Sequence, residues 1–61
     1  MDVKVTNEGT VFAFELLTPA AVEWVNANCA DPLFLGRTLV VEHRFAWNLF
    51  QALVIDGLEV N

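Results

Sequence analysis

The sequence predicts an α+β fold: a small two-layer domain in which a short, mainly antiparallel sheet of two to three strands is packed by two helices, in the order β-β-α-β-α. Three observations predict it. Val3–Thr6 alternates apolar and polar side chains and Thr10–Leu16 is rich in β-formers, on either side of the turn residues Asn7-Glu8-Gly9, the pattern of strands around a turn. Thr18-Pro19 opens a segment whose apolar residues recur at helical spacing. After Thr38–Glu42, a long apolar segment stops at Asp56-Gly57-Leu58, a helix-ending combination. Residues 1–61 read as a single domain, without linker, repeat or low-complexity tract.

The first strand covers Val3–Thr6. Glycine at position 9 supplies the positive φ of a turn. Thr10–Leu16 is rich in β-formers, with Phe12, Phe14 and Leu16 on one face and Val11, Ala13 and Glu15 on the other. The two segments form a hairpin, or one long strand bent at a bulge near Gly9. Thr18 then serves as N-cap of the first helix, and Pro19 suits the first helical position because its missing N–H would be unpaired there. Ala21, Val22, Val25 and Cys29 share one helical face, Trp24 flanks it, and Glu23, Asn26 and Ala27 point away. Asn28 ends the helix, with Asp31-Pro32 beyond it.

Leu33–Gly36 reads as an apolar loop or a single 3₁₀ turn that plugs one end of the core. In Thr38–Glu42 the unbroken run Leu39-Val40-Val41 suggests a central strand buried on both faces. Strand–helix–strand order favours a right-handed parallel crossover into it. The second helix runs from about Arg44 to Asp56, with Gly57 at C′ and Leu58 making the apolar contact of a Schellman ending. Phe45, Ala46, Leu49, Phe50, Ala52, Leu53 and Val54 spread over an arc of roughly 200°, against the ~100° stripe that a surface helix needs. Trp47 and Ile55 lie outside what one sheet can cover, so the helix is either wedged between two layers or meets another molecule.

Composition bounds the function. A domain of this length buries only about 60% of its unfolded surface, and 56% hydrophobic content with five Phe and two Trp compensates. The single cysteine excludes an intrachain disulfide and suits a reducing cytosol. The first residues lack the apolar core of a signal peptide, and no apolar run approaches the ~20 residues of a membrane span. The expectation is a cytoplasmic protein. A net charge of −5 argues against direct nucleic-acid binding and against anionic membrane, and favours a basic protein partner.

Catalytic chemistry has few candidates. There is no Ser and no Tyr, so nucleophiles reduce to Thr, Lys4 and Cys29. A Cys29–His43 pair oriented by Asp31 or Glu42 can be drawn, but Cys29 ends an apolar helical face, where buried inert cysteines sit. Glu42 and His43 are adjacent on a strand and point to opposite faces, and a second His or a CxxC is lacking. Gly9, Gly36 and Gly57 are too dispersed for a phosphate-binding loop. The expectation is no enzyme, no cofactor and no metal. His43 is expected to pack at the strand–helix joint and Arg44 to pair with a nearby acid.

Two stretches, LTPAAVEWVNAN and LVVEHRFAWNLFQALVIDGLEV, resemble a family of very small proteins of bacteria and their phages. The matching positions are Thr18, Pro19, Ala20 or Ala21, Trp24, Val25, Gly36, Val41, Glu42, Arg44, Phe45, Asp56, Gly57, Leu58 and Val60. The resemblance implies a fold and a phage-linked setting, and no mechanism. In size, charge and setting the chain is also similar to anti-CRISPR proteins, several of which occupy the basic channel of a CRISPR effector as DNA mimics.

Together these readings lead to a small acidic protein–protein interaction module. The first expectation is a phage-type, anti-CRISPR-like inhibitor that binds a basic nucleic-acid-binding surface of a host protein, such as a CRISPR effector subunit, as a DNA mimic. Its partner-binding residues would be Glu15, Glu23, Asp31, Glu42 and Trp47, with Glu15 and Glu42 sharing the outer face of neighbouring strands. The alternative is a homodimeric structural or regulatory adaptor that uses the apolar second helix. The chain itself is expected to be a monomer or a weak homodimer.

Overall fold

A computed structural model describes all 61 residues. Strands β1 (Val3–Asn7) and β2 (Val11–Leu16) are followed by helix α1 (Pro19–Asn28), strands β3 (Phe34–Leu35) and β4 (Thr38–Glu42), and helix α2 (His43–Ile55). The strands form one antiparallel sheet in the order β1-β2-β4-β3. The fold is α+β, with four strands where two to three were expected.

β1 and β2 form a hairpin. Gly9 takes φ 92°, its amide donates to the Asn7 side chain at 2.9 Å, and Glu8 N–H reaches Val11 C=O at 2.9 Å. The register pairs Val3 with Leu16 and Val5 with Phe14, while Phe14 pairs with Leu39 on its other side. Val3, Phe14, Leu16 and Leu39 therefore lie on one face of the sheet. They are buried in a single cluster with Ala21 and Val25 of α1 and Ala46 and Leu53 of α2. Both helices thus cover the same face, and the other face, with Val11, Ala13 and Val40 half-buried at its centre, has no helix over it.

Both helix ends follow local chemistry. Thr18 caps α1 by accepting the Ala21 amide at 3.2 Å, with Pro19 in the first position. α2 ends in a Schellman motif. Leu58 N–H bonds Leu53 C=O and Gly57 N–H bonds Val54 C=O, both at 3.0 Å, with Gly57 at φ 91°.

The segment before β4 departs from expectation. Leu33–Gly36 is no plug: Leu33 and Leu35 are exposed, and Phe34–Leu35 pair with Leu39 and Thr38 in a second hairpin. Gly36, at φ 65°, occupies the first of the two turn positions, as a type II′ turn requires. This hairpin reverses the chain once more, so β4 enters antiparallel to β2 and the parallel crossover is not formed. β4 is interior to the sheet, yet only Leu39 is buried, because one face of the sheet has no covering layer.

The C-terminal residues add an element that sequence reading missed. After the Schellman turn the chain runs beside β1 as a parallel partner, with Val60 bridging Val3. Val5 N–H bonds Asn61 C=O at 2.9 Å and Asn61 N–H bonds Val3 C=O at 3.0 Å. The otherwise open edge of β1 is covered in this way.

Candidate functional site

α2 lies over the sheet as a ridge. Its line of contact is Ala46 and Leu53, both buried, and a groove opens along each flank. One groove, of about 350 Å³, runs between α2 and the β1–β2 hairpin. Val5, Phe12 and Phe14 lie along the sheet side, and His43, Trp47 and Phe50 form the helix wall. Trp47 stacks on Phe50 with ring centroids 5.4 Å apart, and His43 packs tilted on Phe12 at 4.7 Å. The other groove, of about 620 Å³, lies between α2 and the α1–β3 loop, where Phe45 and Leu49 face Cys29, Pro32 and Leu33.

α2 carries four of the eight exposed large apolar side chains of the chain. Trp47 is 63% exposed, Phe45 53% and Ile55 81%. Val54, on the Trp47 side of the helix, is exposed as well. The helix is therefore not wedged between two layers. One sheet covers one side of a helix that is apolar on more than that side.

The acids named from sequence do not converge. Glu15 and Glu42 share the uncovered sheet face, but their register partners, Thr38 and Val11, place them four residues apart on neighbouring strands. That is a separation of about 14 Å. Lys4 stands opposite Glu15 on β1, so that carboxylate has a cation for a neighbour. Glu23 lies on the solvent side of α1, in the opposite layer, and Asp31 sits in the α1–β3 loop at φ 49°.

Half of the eight acids have structural engagements. Asp2 accepts from Thr18 and from the Glu59 amide, Asp56 from the Trp24 indole, Glu59 pairs with the Met1 amino group, and Glu42 lies 3.5 Å from Arg44. The Glu42–Arg44 pair is exposed at both ends and contributes little. Glu8, Glu15, Glu23 and Asp31 make no side-chain hydrogen bond or ion pair.

Cys29 and His43 are not brought together: they line different grooves, on opposite flanks of α2. Partial burial pushes the Cys29 thiol up, away from the thiolate form. His43 is the first residue of α2 rather than part of the strand, which places its ring over Phe12 and not on a sheet face of its own.

The sheet side of the groove was not foreseen as part of a site. Val5 and Phe12 look like ordinary inward-facing strand residues, and only the position of α2 leaves them partly uncovered. No helix is long and apolar enough to cross a membrane. Comparison with protein-family models, curated proteins and solved structures found no match.

Proposed function

We propose that this chain is a small acidic protein–protein interaction module whose working surface is α2. The observation that carries this reading is the exposure of Phe45, Trp47, Val54 and Ile55 on one 13-residue helix, beside an open apolar groove. Exposed apolar surface concentrated on one element of a small domain marks a place for another molecule, and exposed tryptophan is a favoured anchor. A photo-crosslinking amino acid at position 47 tests it in intact cells, with position 8 in the β1–β2 turn as control. Protein adducts from position 47 well above those from position 8 are expected. Equal yields from the two positions would overturn the reading.

A second reading has its own support in the charge distribution. Net charge −5 and the unengaged carboxylates of Glu8, Glu15, Glu23 and Asp31 favour a basic partner. On this reading the chain is an anti-CRISPR-like inhibitor that covers the nucleic-acid-binding surface of a host protein, in keeping with its resemblance to small phage proteins. The dispersal of the acids over both layers supports general electrostatic attraction more than imitation of a phosphate row. Reversal of Glu15, Glu23, Asp31 and Glu42 to Lys should abolish any block of DNA binding by a CRISPR effector at low salt. Inhibition unchanged by that reversal would remove this reading.

A further inference from the structure

We propose that the occupant of the Trp47 groove is a second copy of this chain, docked through α2 in antiparallel orientation about a two-fold axis. The inference rests on the reading of α2 as an interaction surface and names its partner.

Three observations point to self-association. The first is periodicity. His43, Trp47, Phe50 and Val54 follow one another at spacings of four, three and four residues, the a/d rhythm of a helix that packs against another helix. This row borders the groove, with His43 against Phe12 and Phe50 half-buried, and is distinct from the buried row of Ala46 and Leu53. The row is also self-complementary when reversed: the axis passes between Trp47 and Phe50, so each Trp47 faces Phe50 of the second copy and each His43 faces Val54 of the second copy. A two-fold interface demands that property of a single patch.

The second observation is charge. None of the eight acids lies within α2; Glu42 and Asp56 bracket it, and Arg44 is its one charged side chain. A basic partner would be drawn to carboxylates, which this helix lacks. Two copies of net charge −5 repel at long range, and can meet closely only where carboxylates are absent. α2 is such a surface.

The third is area. A specific interface buries about 800 Å² on each partner, roughly a fifth of the 4044 Å² surface of this chain. On the α2 flank, the 63% exposed Trp47, the 49% exposed Val54 and the apolar groove beside them are surface that such a contact can use. Only eight residues are buried in the monomer, so a domain with so thin a core gains from a partner. The expected dimer is weak, with micromolar dissociation.

Sedimentation equilibrium from low to high micromolar concentration tests this. A monomer–dimer equilibrium is expected that tightens as salt is raised, because screening removes repulsion between like-charged copies. Trp47→Glu and Val54→Glu, both at exposed positions, should each remove the dimer while leaving the circular dichroism spectrum unchanged. Orientation is read from disulfide crosslinking in a Cys29→Ala background. A mixture of His43→Cys and Val54→Cys chains should crosslink, whereas Val54→Cys alone should not, since its copies lie about 16 Å apart along the helix pair. A monomer at every concentration, or a dimer indifferent to both Glu variants, would overturn the proposal. Self-crosslinking of Val54→Cys would overturn the antiparallel arrangement. A monomer that still crosslinks other proteins from position 47 would sink the second copy and leave the interaction module standing.

Discussion

The Thr18 hydroxyl donates to the Asp2 carboxylate at 2.7 Å, and the same oxygen accepts the Ala21 amide at 3.2 Å. The other oxygen of Asp2 accepts the Glu59 amide at 2.8 Å. One carboxylate thus joins the start of β1, the N-cap of α1 and the segment that follows α2. Three elements distant in sequence are held at one corner of the domain by hydrogen bonds that each satisfy a backbone donor or orient a cap.

Removal of the cap should be felt by the whole fold. Thr18→Ala is expected to lower stability by about 1 kcal/mol. In a domain of this size that corresponds to a fall in melting temperature of about 4–8 °C. Thr18→Ser keeps the oxygen and should restore most of the loss. Thermal melts of the three proteins check this, and an alanine variant as stable as the parent would contradict it.

Asp2 should make stability depend on acid pH. The Glu59 backbone N–H, and after it the Thr18 hydroxyl, hold its carboxyl below the usual value of 3.8. A depressed folded-state pKa stabilises above the unfolded value and ceases to do so as pH falls through the folded one. The stability difference between the parent and Asp2→Asn should therefore be constant near neutrality and shrink below pH 3.8. Denaturation midpoints across the acid range measure it; a difference that grows on acidification would refute the assignment.

Trp24 ties the two helices together. Its indole N–H donates to Asp56 Oδ2 at 2.6 Å, and Asp56 is the C-cap of α2. Trp24→Phe should cost about 1 kcal/mol through the lost hydrogen bond. Asp56→Ala should cost less in a Trp24→Phe background than in the parent, because residues that share a bond are not additive. Urea titration of the four members of this cycle provides the coupling energy, and full additivity would show the bond to be inconsequential.

Gly57 is required for its backbone and not for its size. Its φ is 91°, and nothing lies within 4 Å of where a Cβ would stand. Gly57→Ala should destabilise by roughly 1–2 kcal/mol from left-handed backbone strain alone. Gly57→Asn should cost less, since asparagine tolerates that region better. Equal losses for the two variants would point to crowding instead.

Some of this molecule was legible along the chain because the responsible interactions are local. Thr18-Pro19 caps α1 within three residues, and Gly57-Leu58 closes α2 over a six-residue span. The alternation of Phe12, Phe14 and Leu16 identified the inward face of β2 for the same reason. Gly36 also carried a local signal: a Gly-X pair between extended residues is a hairpin turn, and reading Leu33–Gly36 as a plug overlooked it. The direction of β4 depended on that one turn.

The candidate site was less legible. The apolar surplus of α2 was visible as an arc wider than one sheet covers, and Trp47 and Ile55 are indeed exposed. That a groove opens along each flank was not visible, because that depends on where the helix axis crosses the sheet. The acids show the same limit. Sequence reading placed Glu15 and Glu42 on one face, as the register confirms, but it had no means to see that Glu23 lies in the other layer or that Asp2, Asp56 and Glu59 are taken up by distant partners.

By itself, then, the sequence determined the two helices, the Thr18 cap of α1, the Schellman end of α2, the turn residue Gly9 and an excess of apolar surface, all of which depend on residues a few positions apart. Only the tertiary structure decided the β1-β2-β4-β3 strand order, the pairing of Val60 with Val3 and the groove between Trp47 and Phe12. Each of these joins residues that the chain brings together only when the core closes, and no local pattern records which surface a helix will meet and which it will leave open.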